Sequence, residues 1–196
     1  TGELCFYTEG ISEVKTSTTL KDVGWYHVAF SPKGGDTCNI FINGIQQSTT
    51  QSGGSGIPTN IISASNNHTD RYAGYFVGAT GGSLIPYQGS MAQIVYLDGF
   101  SFQDGDVTAA SFLDTVSDRF VPKANSELAT LAGTAGAESY CLDFSNSSDL
   151  GNDISSKNND FTLTSMTSAN HSTNSPSNAY PNMNILDPSN STRTFS

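Results

Sequence analysis

WYHVAFSPKGGDTCNIFING, residues 25–44, reads as two β-strands facing each other across a glycine-rich turn. In residues 25–31, Tyr26, Val28 and Phe30 fall on one face and Trp25, His27 and Ala29 on the other, because successive strand side chains point to opposite sides. Apolar groups on both faces make this an expected interior strand. Residues 31–36, Ser-Pro-Lys-Gly-Gly-Asp, combine proline's fixed φ with glycine's access to positive φ, so the chain can reverse there. A second strand, Cys38–Ile42, runs into Asn43-Gly44, the pair that suits the two central positions of a type I′ hairpin turn. Residues 45–47 begin the return strand.

Outward from this hairpin the chain stays strand-like. Residues 4–8 read as a strand broken by Gly10, and residues 11–20 as an exposed strand or hairpin rich in Ser and Thr. Residues 48–56 read as a polar loop, 57–63 as a short strand interrupted by Pro58, and 66–71 as a polar loop before a strand at Tyr75. Residues 78–89 form another expected loop. After Phe100 the pattern changes. Asp106 or Thr108 is placed to cap a short helix through about Arg119, with Phe112, Leu113, Val116 and Phe120 on one face and Val121-Pro122 stopping it. Residues 124–137 read as a linker. Residues 140–144 are a strand, 145–160 an acidic loop and 161–164 an alternating strand, and from Ser165 an Asn/Ser/Thr/Pro-rich tail is expected to run over a surface or a neighbouring subunit.

The hairpin residues WYHVAFSPKGG…NIFINGI, with Tyr75-Phe76-Val77-Gly78 and GSMAQIVYLDG at residues 89–99, resemble laminin G-like domains in order and spacing. The resemblance implies an all-β, concanavalin A-like antiparallel jelly-roll sandwich with one short helix and an irregular C-terminal extension. It divides the chain into a sandwich at residues 1–122 whose first strands can lie outside this segment, a linker at 123–137, and a strand pair with extended tail at 138–196. That last part either closes the sandwich or opens a second module. Its wording, YCLDFSNSSDLGNDISSKNNDFTLTSMTSANHSTNSPSNAYPNMNILDP, looks like a block that follows laminin G-like domains in large virion proteins of marine tailed bacteriophages.

Composition narrows the classes further. Charged residues are few and the formal net charge is −10, with only eight Lys and Arg, scattered along the chain. Nucleic acid or an anionic membrane would need clustered positive charge. No apolar run approaches the ~20 residues that span a bilayer. The three cysteines, Cys5, Cys38 and Cys141, cannot all pair within one chain. They read as small buried hydrophobes in a protein assembled in a reducing compartment, with a Cys5–Cys38 disulfide as the open alternative.

The carboxylate pattern of the superfamily's glucanases, Glu-x-Asp-x-(x)-Glu, is absent, and so is a Gly-x-Ser-x-Gly elbow. A non-catalytic chain is therefore expected. Loops at the ends of a sandwich are where binding groups are presented, which nominates His68, Arg71, Tyr72 and Tyr87 for contact with sugar. Calcium takes six to eight oxygens, and Asp143, Asp149, Asp153 and Asp160, with Asn152, crowd one loop. A solvated acidic loop is the plainer reading of those four.

The resemblance implies a virion structural protein, a tail fibre, appendage or capsid-surface fibre, on the outside of a particle assembled in the host cytoplasm. Its expected partners are other virion proteins, copies of itself in a symmetric oligomer such as a trimer, and host surface polysaccharide, with no nucleic acid and no membrane insertion. The competing reading is a carbohydrate-binding or adhesion module of a secreted bacterial protein.

Overall fold

The computed structural model describes residues 3–8, 12–20, 24–32, 38–52, 75–77, 84–86, 89–116, 119–163 and 166–173. Their architecture is mainly β, in small antiparallel sheets, with one α-helix. The first sheet joins β1 (Glu3–Thr8), β2 (Ser12–Thr19) and a later strand, β6 (Thr49–Ser52), in the order β1-β2-β6. The polar stretch after residue 48 is thus a strand in part, because Thr49 and Thr50 pair with Thr16 and Lys15 of β2. β-branched threonine fits a half-exposed pleated surface.

The second sheet is the hairpin itself, β3 (Val28–Pro32), β4 (Cys38–Ile42) and β5 (Ile45–Gln46), in that order. Asn43 and Gly44 have φ of 50° and 76°, and Ile42 pairs with Ile45 across them. Positive φ at both central residues is what a type I′ turn requires. The reversal between Pro32 and Cys38, which pair at the far end, lies outside the described residues.

One expectation is corrected here. The interior strand of this sheet is β4; β3, which starts only at Val28, pairs with β4 alone among the described strands. Burial agrees, since Phe30 is 40% exposed while Ile40 is fully buried. Both faces of β4 are covered. On one, Cys38 and Ile40 pack with Val14 of β2 and with Leu4 and Phe6 of β1, joining the two three-stranded sheets. On the other, Phe41 stacks on Phe102 at 4.2 Å, so the 100–112 segment forms a further layer.

That layer is pinned by Ser31, whose hydroxyl donates to Gln103 Oε1 and accepts from the Phe102 amide at 3.0 Å, while Gln103 Nε2 donates to the Ser31 carbonyl at 2.7 Å. The helix expected across residues 106–119 is absent. In its place stand a single 3-10 turn, Ala109–Ser111, and a hairpin of β10 (Leu113–Val116) and β11 (Arg119–Pro122). Phe112, Leu113, Val116 and Phe120 satisfy helical spacing, but Leu-Asp-Thr-Val and Arg-Phe-Val-Pro are rich in β-branched and aromatic residues, which favour strands.

The helix lies instead where a linker was expected: α1, Asn125–Thr134. Glu127 Oε2 accepts from the Ala124 amide at its first turn, and Leu128 and Ala132 are buried one turn apart. They pack with Cys141 of β12 (Tyr140–Leu142), and Val95 and Leu97 pack beside them; β12 pairs antiparallel with β9 (Ile94–Tyr96). Tertiary packing of Leu and Ala positions, more than intrinsic propensity, stabilises a ten-residue helix. Phe112 joins the two cores, since it packs against the α1 cluster and stacks on Phe102 at 5.8 Å.

A short hairpin of β7 (Tyr75–Val77) and β8 (Leu84–Pro86) turns part of the loop expected at 78–89 into a strand. Residues 161–163, read as a strand, are not one; the Phe161 amide donates instead to the Gly151 carbonyl at 2.8 Å. The strand expected within 57–63, the loop at 66–71 and the tail beyond residue 173 lie outside the described residues. All three thiols are free, with Cys38 and Cys141 buried and Cys5 exposed, so the Cys5–Cys38 alternative does not form. Among the described residues no helix is long and apolar enough to cross a membrane.

Candidate functional site

The acidic loop after β12 is a network of buried and half-buried polar side chains. Its centre is Asp153, 4% exposed and bridged to Leu142. Oδ1 accepts from the amides of Cys141 at 2.8 Å and Ser155 at 2.9 Å; Oδ2 accepts from the Ser155 hydroxyl at 2.9 Å and the Asn159 amide at 2.8 Å. Burial by itself would raise this carboxyl, but those donors outweigh it and hold the group below the ordinary aspartate range.

Asp160 supports the same residue from behind, with Oδ1 accepting from the Asp153 amide at 2.9 Å. Asn159 extends the network to the chain after α1, donating through Nδ2 to the carbonyls of Ala137 and Ser139, both at 2.8 Å. Ser139 is fully buried and accepts from the Asp98 amide at 2.9 Å. A row of short polar side chains therefore stitches residues 136–160 to the turn after β9. The local reason is Asx chemistry, in which a side-chain oxygen takes an amide two residues on.

Of the four nominated carboxylates, Asp153 and Asp160 come together, through an amide. Asp143 turns to α1 and its own turn, accepting from Asn125 Nδ2 at 2.9 Å and from the Ser145 amide and hydroxyl. Asp149 is exposed, and its amide donates to the Asn146 carbonyl. Among the described residues no group of three or more His, Cys, Asp or Glu side chains is placed to share a metal ion. An ion at Asp153 would have to displace four protein donors. The chemistry of this site is anchoring a loop. His68, Arg71, Tyr72 and Tyr87, nominated for sugar contact, all lie outside the described residues.

A shallow groove of about 400 Å³ runs between α1 and this loop, lined by Ala129, Thr130, Gly133, Thr134, Ile154 and Ser156. The hydroxyls of Thr130 and Thr134 donate back into the helix, to Ser126 and Leu131 carbonyls.

Two arrangements escaped sequence reasoning. One is Ser31 with Gln103, 72 residues apart, for which no local signal exists. The other is the reciprocal pair at the hairpin tip. The His27 amide donates to Asn43 Oδ1 at 2.9 Å, and the Asn43 amide donates to the His27 carbonyl at 2.8 Å. For that one the Asn-Gly turn was the available signal, since an Asn side chain in a turn seeks a backbone partner.

Compared with family models, with curated proteins and with solved structures, the chain finds no match in any of the three.

Proposed function

We propose that this chain is a non-enzymatic structural module of a tailed-phage virion, a tail fibre, appendage or capsid-surface segment. In this reading a laminin G-like jelly roll makes assembly contacts and attaches the particle to host surface polysaccharide. The observation that carries it is the hairpin. Of the hairpin residues that carry the laminin G-like resemblance, Val28–Pro32, Cys38–Ile42 and Ile45 fall in β3, β4 and β5, with Asn43 and Gly44 at the two positive-φ positions and β4 covered on both faces.

The mechanism is non-covalent. Each shallow site binds weakly, and a symmetric oligomer, a trimer in this reading, multiplies weak contacts through effective concentration. Because fold does not fix function, two measurements test the proposal. Mass spectrometry of gradient-purified particles from the source culture should recover peptides of this chain, and recovery only from the soluble secreted fraction would replace it with the bacterial adhesion-module reading. A bacterial polysaccharide array should show binding that Tyr72→Ala or Tyr87→Ala reduces. A folded chain that binds none would leave assembly contacts as its role.

A further inference from the structure

His27 sits where three parts of the fold meet. Its backbone is tied to the β4–β5 turn by the two bonds to Asn43. Its ring lies 5.9 Å from that of Phe112, which stacks on Phe102, which in turn stacks on Phe41 of β4. The ring Nδ1 is buried and has no hydrogen-bond partner. We infer that His27 makes the seam between the β3-β4-β5 sheet and the 100–112 segment acid-sensitive, so that protonating its imidazole loosens the Phe41–Phe102–Phe112 stack.

The argument is one of solvation. A cation beside the Phe112 ring, with its Nδ1 buried and unpartnered, loses water at that nitrogen without gaining an acceptor. Among the described residues, the charged groups on the surrounding elements are engaged elsewhere. Asp106 accepts from the Ser101 amide and Asp104 from the Ser101 hydroxyl, while Asp114, at the start of the β10–β11 hairpin, pairs with Lys123 at 2.6 Å. The β4–β5 turn brings Asn43 and Gly44, neither of them charged. Burial alone acts on the imidazole, and it lowers its proton affinity.

The direction follows from linkage. An unfolded chain protonates histidine near pH ~6.5, while the folded chain resists protonation to a lower pH. Between those values the unfolded state binds more protons, so stability falls as pH drops through 6.5 and stops falling below the folded value.

The experiment uses the chain with His68→Gln and His171→Gln, which leaves His27 as its sole imidazole, alongside the same chain carrying His27→Phe. Thermal midpoints are read from pH 7.5 to 5.0, together with the emission of Trp25, the single tryptophan of the chain and two residues from the seam. The expected result is a fall of several degrees on acidification, with a shift in Trp25 emission, in the His27 chain and a flat response with His27→Phe. Equal falls in both would overturn the inference. Proton NMR of the His27 chain gives an independent arm that does not need the Phe variant to fold. Titration of the imidazole below the unfolded value supports the seam, and titration at or above it refutes it.

Discussion

Asp153 and Cys141 hold each other across the chain. The Cys141 amide donates to Asp153 Oδ1 at 2.8 Å, and the amide of Ile154, the next residue, returns to the Cys141 carbonyl at 3.0 Å. This bridge ties the acidic loop to the strand beneath α1, and Cys141 and Asp153 are both buried. Asp153→Ala should therefore strand the amides of Cys141, Ser155 and Asn159, at about 1–3 kcal/mol for each one that water cannot reach. The expected outcome is a loss of roughly 3 kcal/mol of stability or more, read as a lower urea midpoint at unchanged slope. Asp153→Asn keeps the Oδ1 acceptor but turns an amino group toward the Asn159 amide, so its loss should be smaller. The same carboxylate sets an acid limit. Because the folded chain holds it below the ordinary range, its contribution is complete above pH ~3.9 and is lost as pH falls through the folded value. Between pH 5 and 2.5 the wild-type midpoint should fall further than that of Asp153→Asn; parallel curves would remove Asp153 from the account.

Gly151 is needed for a different reason. A Cβ at this position would overlap the carbonyl oxygen of Phe161, on the residue whose amide bonds to Gly151. The obstacle is backbone, so neither side can rotate away. Gly151→Ala should cost about 1–3 kcal/mol through forced displacement, read as a lower melting temperature with increased amide exchange at Phe161. A neutral Ala would mean that the loop has slack the structure does not suggest.

At the hairpin tip, Asn43 does two things at once: it occupies a left-handed conformation and it accepts from the His27 amide. Asn43→Gly keeps the first and loses the second; Asn43→Ala loses both. The expected order of stability is wild type, then Gly, then Ala, with the Ala variant down by about 1–3 kcal/mol. An Ala variant as stable as the Gly variant would show that the left-handed strain is relieved elsewhere in the turn.

The thiols offer a probe of which core opens first. Burial and the hydrogen bond to Glu13 push Cys5 up to about 11, and burial pushes Cys38 and Cys141 each up to about 12. Only thiolate reacts. In native protein an alkylating reagent should label Cys5 alone, slowly at neutral pH and faster toward pH 10, with all three thiols labelled in denaturant. Native labelling of Cys141 at the rate of Cys5 would mean that α1 lifts readily from β12.

How legible was all this beforehand? Where a local pattern carries its own geometry, the chain could be read directly. Asn43-Gly44 between alternating apolar runs specifies a tight hairpin, and Tyr-Cys-Leu after a small-residue stretch specifies a strand, because those features depend on neighbours a few residues away. Which strand lies inside could not be read that way. Residues 25–31 carry apolar groups on both faces, yet β4 is the covered one, a matter settled by what packs above and below: Val14 and Phe6 on one side, Phe102 on the other.

The helix shows the same division. Phe112, Leu113, Val116 and Phe120 fit a helical period, while Leu128 and Ala132 sit in a stretch of small residues, five Ala among the fourteen of 124–137 and two Gly. Contact with Cys141, Val95 and Leu97 buries one face of the second segment as a helix, while the first pairs as a hairpin. The carboxylates divide likewise. Sequence placed Asp143, Asp149, Asp153 and Asp160 in one acidic loop. Tertiary structure alone decided that Asp153 would be buried among amides while Asp149 faces water, because burial and hydrogen-bond partners are properties of distant backbone brought close. From the residues alone, then, this chain was a strand-rich protein with one unmistakable hairpin and an acidic loop. The covered strand, the site of the helix and the working carboxylate belong to contacts between segments far apart in the chain.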